Sequence, residues 1–246
     1  MLSPETLVLA LIIILIAGVT QSLTGFGFGV VAVPLLALVM SPKIAPPLVM
    51  ILAVGLNVMV LRRAHVAVEP GRFWMLALFG AIGTPCGVWV LKHWDADLLR
   101  VYIGIASVVV AAIMALGLRL TFRREQIASA PFGFVSGLMG GSINMYGPAV
   151  MLFFNNQGVA GRSFRANLIA YFLFQQMVAL PILALSGILT REVWTAALVL
   201  MPALLLGTWA GITFADRVTD TLVRRVTLGT VALGGVLSLL KGLGLF

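Results

Sequence analysis

Two short stretches of this chain hold the residues best able to do chemistry. The first is Thr20, Gln21, Ser22 and Thr24 running into Gly25-Phe26-Gly27-Phe28-Gly29; the second is Ser136, Ser142, Asn144 and Tyr146 running into Gly147-Pro148. All these polar side chains are uncharged hydrogen-bonding groups, and each set sits where glycine or proline makes a continuous helix unfavourable. A helix that restarts after such a break points backbone N–H groups and partial positive charge at the gap. That end can hold a sulfonate, carboxylate or phosphate without a buried Lys or Arg. Any one of these side chains could instead bond only between helices, and Gly25 with Gly29 could be a helix-contact motif. Two breaks in matching places favour a binding site.

Other chemistries lack their residues. The eight acids, Glu5, Glu69, Asp95, Asp97, Glu125, Glu192, Asp216 and Asp220, all fall at the ends of apolar segments or between them, so no carboxylate relay or cation cage is built into one. His65 and His93 also sit at segment edges, where solvated or capping roles are expected. The chain holds no Gly-x-x-x-x-Gly-Lys-Ser/Thr loop for ATP, no Cys/His pair and no His-Glu-x-x-His spacing, so we expect no enzyme, no catalytic residue, no metal and no cofactor. The one cysteine, Cys86, permits no intrachain disulfide and is expected to be a small buried filler.

These stretches need elements to position them, and the composition says which. Of 246 residues 61% are hydrophobic and 10% charged, which excludes a water-soluble domain. Long apolar runs favour a helical bundle over a barrel. Segments are expected at about 6–23, 25–40, 44–61, 73–91, 98–118, 127–141, 143–155, 166–187, 193–213 and 226–243. The N-terminus has no basic region ahead of its apolar run, so a removable signal peptide is not expected. A net charge of +8 does not point to nucleic acid, because the basic residues stand in the gaps between apolar segments.

Their distribution sets the topology. Placing 62–72, 119–126, 156–165 and 214–225 in the cytoplasm puts eleven Lys and Arg inside against five outside, with both termini outside. Residues 6–40 and 127–155 must then each go in and return, as hairpins broken in the middle. The two stretches also resemble each other: AGVTQSLTGFGFGVVAVPLL (17–36) lies over FGFVSGLMGGSINMYGPAVML (132–152), with Gly18 over Gly133 and Gly25 over Gly140. Further on, GTPCG (83–87) matches GTWAG (207–211), and Arg100 with Gly104 matches Arg225 with Gly229. Five crossings per copy invert the second relative to the first. We therefore expect an all-α, polytopic helical membrane protein of two inverted repeats, about 6–118 and 127–243, forming a single transporter domain over 1–246.

The pattern Gln21-x3-Gly25-Phe26-Gly27-x-Gly29 followed by Val33-Pro34-Leu35, with Gly147-Pro148 in the second half and Phe164-Arg165-Ala166 leading into Tyr171-Phe172, resembles the sulfite exporter TauE/SafE family of membrane permeases. The resemblance covers essentially the whole chain. It implies transport of small anions such as sulfite, sulfonates and related sulfur or carboxylate compounds across a bacterial inner membrane. The second half departs from the family's Gly-rich run, carrying Ser142, Ile143, Asn144, Met145 and Tyr146 before Gly147-Pro148.

The expected function is a secondary transporter or facilitator, acting as an exporter of sulfite, organosulfonates or related anions. An anion channel with a glycine-rich fixed filter is the alternative. The expected substrate site is Gln21, Thr24, Gly25, Gly27, Gly29, Asn144, Tyr146, Gly147 and Arg165. The glycines would let backbone approach the ligand, the polar side chains would donate hydrogen bonds, and Arg165 would draw the anion to the inner mouth. A purely topogenic role is the rival reading for Arg165. Expected partners are the small anion and the lipid bilayer, with no nucleic acid; a homo-oligomer is compatible with the sequence.

Overall fold

A computed structural model describes residues 3–64, 68, 73–117, 125–156, 161–214 and 219–245. Among them the chain forms ten helices and no strand: α1 (Pro4–Thr24), α2 (Gly27–Val39), α3 (Ala45–Ala64), α4 (Trp74–His93), α5 (Ala96–Leu116), α6 (Glu125–Ile143), α7 (Gly147–Asn156), α8 (Gly161–Leu185), α9 (Arg191–Phe214) and α10 (Asp220–Gly242). Each takes the place of one apolar segment. Six are long and apolar enough to cross a membrane, namely α1, α4, α5, α9 and most of α3 and α8. The protein is an all-α, multi-pass membrane protein. The four basic connections used for the topology fall largely outside the described residues, as does His65.

Local chemistry sets several helix ends. Ser3 caps α1 by accepting from the Thr6 N–H at 3.2 Å, with Pro4 in the first turn, where its missing donor costs nothing. Asp95 does the same for α5, accepting from the Leu98 N–H at 2.8 Å. The two internal stops differ from these. α1 ends at Gly25, left-handed at φ 87°, and α6 ends at Asn144, left-handed at φ 54°. In both places the chain turns back on itself, so Gly27 meets Thr20 and the Tyr146 ring meets Gly140.

The two arms of each turn are unequal. At 1.5 Å per residue, the 21 residues of α1 reach about 31 Å, the thickness of a hydrocarbon core, whereas the 13 of α2 reach about 20 Å. The two stretches break within a few residues of where the sequence places the breaks. The expectation that Gly27, Gly29 and Pro34 also interrupt the helix is corrected: Gly25 alone takes the left-handed conformation there, and the other three continue α2.

Apolar side chains gain little by leaving lipid, so close contact between helices carries much of the assembly. α4 lies on α6, and α1 lies on α9. Gly83 and Gly87 abut the Phe134 and Leu138 carbonyls, and Gly207 and Gly211 abut those of Leu15 and Val19, leaving no room for a Cβ. α3 packs against α8 and α5 against α10. These contacts bear on the internal alignment. Matching Gly83 with Gly207 brings Phe134 opposite Leu15, and then Asn144, not Gly140, falls opposite Gly25. The glycine alignment in the sequence is thus one helical turn out of register with the packing, since a four-residue slip keeps the same face of a helix.

The buried side chains form two clusters. One is largely aliphatic, drawn from α1, α2, α3, α5 and α9. The other is rich in aromatic rings from α7, α8 and the residues just before α4 and α7, including Phe73, Tyr146, Phe153, Phe154, Tyr171 and Phe172. Cys86 belongs to neither. It is exposed on the outer face of α4, against the expectation of a buried filler, because Gly83, Thr84 and Gly87 occupy the inward face of that helix.

Candidate functional site

The first break is tied together by one side chain. Gln21, 4% exposed, sits in the last turn of α1. Its Oε1 accepts from the Phe28 N–H at 2.9 Å, supplying a partner to a first-turn donor of α2. Its Nε2 donates to the Gly25 carbonyl at 3.2 Å and to Asn57 Oδ1 at 3.4 Å. Asn57 Nδ2 in turn donates to Gln176 Oε1 at 3.0 Å, which links α1, α3 and α8. The nearby hydroxyls are also occupied. Those of Thr20, Ser22 and Thr24 each donate to the carbonyl four residues earlier, and Thr24 Oγ1 accepts from the Phe26 N–H at 3.3 Å.

The second break is held from outside its turn. Ser136 Oγ donates to the Tyr146 carbonyl at 2.8 Å, and the Asn144 N–H donates to Gly140. Ser142 donates back to Leu138 at 2.6 Å. Asn144 Oδ1 and the Tyr146 hydroxyl, on residues 5% and 3% exposed, are without a hydrogen bond, as is the buried Tyr171 hydroxyl on α8. A buried polar atom left unpaired costs about 1–3 kcal/mol, so a pair of them beside a cavity calls for a ligand or water.

Such a cavity lies between the breaks. Gln21, Phe26, Phe28, Gly29, Asn57, Asn144, Tyr146, Gly147, Phe172 and Gln176 contribute to its walls. It measures about 20 Å³, on a scale where one water needs about 10–15 Å³. Gly29 brings the breaks together, since the place of its Cβ is filled by the Asn144 carbonyl. The N-terminal turns of α2 and α7 both begin at this cavity. In α7 the second position is Pro148, which has no N–H to give, so Gly147 and Ala149 carry the donors there. At its other end α2 meets cations: Lys241 Nζ donates to the Leu38 carbonyl at 2.7 Å and Arg100 Nε to Ala37 at 3.4 Å, with Asp97 paired to Arg100 at 2.7 Å. Their charge offsets the negative end of the helix and leaves the positive end facing the cavity.

A family model, Sulfite exporter TauE/SafE, matches residues 10–238. The chain belongs to the sulfite exporter TauE/SafE family. No curated protein and no solved structure matches it. As a TauE/SafE protein it is a membrane transporter of anions.

In this TauE/SafE chain, five of the nine expected site residues line the cavity: Gln21, Gly29, Asn144, Tyr146 and Gly147. Gln21 does so with its amide already committed within the protein. Thr24 stays within its own turn. Gly27 faces Thr20, where an added Cβ would lie 2.5 Å from the methyl group. Gly25 shapes the turn and carries the stem of Arg165, whose Cγ would lie 3.2 Å from a Cβ there. Arg165 itself is exposed, at the edge of the first break. The sequence reading missed Asn57 and Gln176, both 2% exposed. Their signal is an amide inside each of two apolar runs, away from the glycine and proline breaks that mark the other uncharged polar groups.

Proposed function

We propose that the protein is a secondary transporter that carries a small oxyanion, sulfite or a related sulfur or carboxylate anion, through the cavity between its two breaks. The observation that carries this reading is the pair of buried, unpaired atoms on Asn144 and Tyr146, set where two helix N-termini begin. Preformed N–H donors and a phenolic hydroxyl suit an anion that leaves its hydration shell. Arg165 gathers anions at the rim. The exchange of partners, α1 on α9 as α6 on α4, supports two inverted repeats within one transporter domain, and with them alternating exposure of a fixed site. The small cavity favours a carrier over a channel with an open filter. In a bacterial inner membrane, negative inside, export of an anion gains about 2.3 kcal/mol per charge per 100 mV and needs no coupling ion.

The test is sulfite flux in liposomes containing the purified protein. A carrier gives saturable flux, and unlabelled sulfite inside accelerates entry of labelled sulfite. Flux that rises without saturation and shows no counterflow makes the protein a channel.

A further inference from the structure

We infer that the oxyanion taken at this site arrives carrying a proton, as a monoanion the size of hydrogen sulfite, rather than as the dianion or a permanently ionised sulfonate. This rests on the anion reading above and adds the ligand's protonation state.

The two unpaired atoms are chemically different. The Tyr146 hydroxyl can donate to an anion's oxygen, but Asn144 Oδ1 can only accept. The other amide acceptors on the wall are already supplied: Gln21 by the Phe28 N–H, Asn57 by Gln21, and Gln176 by Asn57. A bare oxyanion brings acceptors alone, so against Asn144 it would set lone pair against lone pair and leave that oxygen unsatisfied. A proton on the anion fills this place. It also lowers the charge to be desolvated to one, which matters because no Asp, Glu, His, Lys or Arg lines the cavity. The donor could instead stand on a side chain of the ligand, as in a two-carbon aminosulfonate, but a cavity of about 20 Å³ already has to open for hydrogen sulfite and would have to open much further for so long a body.

No protein group in the neighbourhood mimics a titrating ligand. The titratable or charged groups facing the second break are Tyr146 itself, Tyr171 on α8, Tyr102 on α5, which lies 3.3 Å from Ser142, and, at the rim, Arg165 on α8. The described residues of α2, α3, α4, α6 and α7 bring no other to the cavity. Tyrosine and arginine do not change charge near neutral pH. Hydrogen sulfite does, so a pH dependence of binding there belongs to the ligand.

The experiment measures binding by calorimetry and thermal shift with the purified full chain, using sulfite from about pH 6 to about pH 9 and methanesulfonate, a monoanion with no proton, as the control. The apparent Kd for sulfite should rise about tenfold per pH unit above the point where hydrogen sulfite ionises. At about pH 6 methanesulfonate should bind at least tenfold more weakly than hydrogen sulfite. Asn144→Gly keeps the left-handed turn and deletes the acceptor, so it should bind the two monoanions alike. Wild-type binding of sulfite that does not change with pH, or of methanesulfonate as tight as hydrogen sulfite, overturns the proton and leaves the anion site standing. Folded protein that binds no oxyanion at any pH overturns both. The wild-type measurements decide the matter even if the variant fails to fold.

Discussion

The two breaks do the same geometrical job with opposite internal chemistry. At the first, glycine takes the left-handed position, and Gln21 joins the Phe28 N–H, the Gly25 carbonyl and Asn57. At the second, asparagine takes that position, and its own Oδ1 and the neighbouring Tyr146 hydroxyl go unpaired. A self-satisfied turn resists change and a deficient one invites a partner. On the function proposed above, the first break is scaffold and the second is recognition.

This contrast predicts how substitutions divide between stability and binding. The largest effect should come from Gly29→Val, which forces the breaks apart at the Asn144 carbonyl. Transport should vanish and the melting temperature should fall by the equivalent of about 1–3 kcal/mol or more. A Gly29→Val protein that melts and transports normally would show that the breaks do not touch. Next, Gln21→Ala strands the Phe28 N–H and Asn57 Oδ1, each at about 1–3 kcal/mol if left unpaired. Its thermal midpoint should drop clearly, and unchanged stability would remove the first break from the scaffold.

Tyr146→Phe should invert that result. It deletes a hydroxyl that has no partner in the protein, so the melting temperature should hold or rise, while anion affinity falls about tenfold, or about 1.4 kcal/mol. Equal affinity with and without the hydroxyl would erase the distinction between the breaks. Gly27→Ala sharpens the scaffold side. Its added methyl meets Thr20, so it should lower stability, and Thr20→Ser in the same chain should restore part of the loss without changing affinity, as a double-mutant cycle would record. The smallest effect belongs to Arg165→Gln at the exposed rim. Uptake should slow a few-fold at low ionic strength, and the difference should fade in high salt. A defect that persists in high salt would move Arg165 into the site proper.

Much of this could be read from the chain, for physical reasons that also mark the limits. Ten apolar runs became ten helices because a backbone in lipid must satisfy its own hydrogen bonds, which ties hydropathy to helix. Gly25 announced its turn, since glycine adopts a left-handed stop at no steric cost. Asn144 and Tyr146 stood out as polar residues beside a Gly-Pro pair. Long-range pairing was not legible. Asn57 and Gln176 are far apart in sequence, and nothing local says that their amides meet. Nor could the sequence fix the internal register, because glycines spaced along one helix face match equally well one turn away. Gly27 looked like Gly29 for a similar reason: two residues apart near a helix start, they point to different neighbours, and only the fold says which one has the second break opposite it.

The cation contacts at the far end of α2 have a mechanical meaning. Lys241 and Arg100 fasten the Leu38 and Ala37 carbonyls to α10 and α5, while Gln21 holds the Phe28 N–H beside the cavity, so this short helix is a bar pinned at both ends. Over a length of about 20 Å, a tilt of about 3° at the fastening swings the Gly27 end by about 1 Å. Even so small a swing must carry Gln21 with it or break its bond to the Phe28 N–H, so the first break sets how far the cavity can widen.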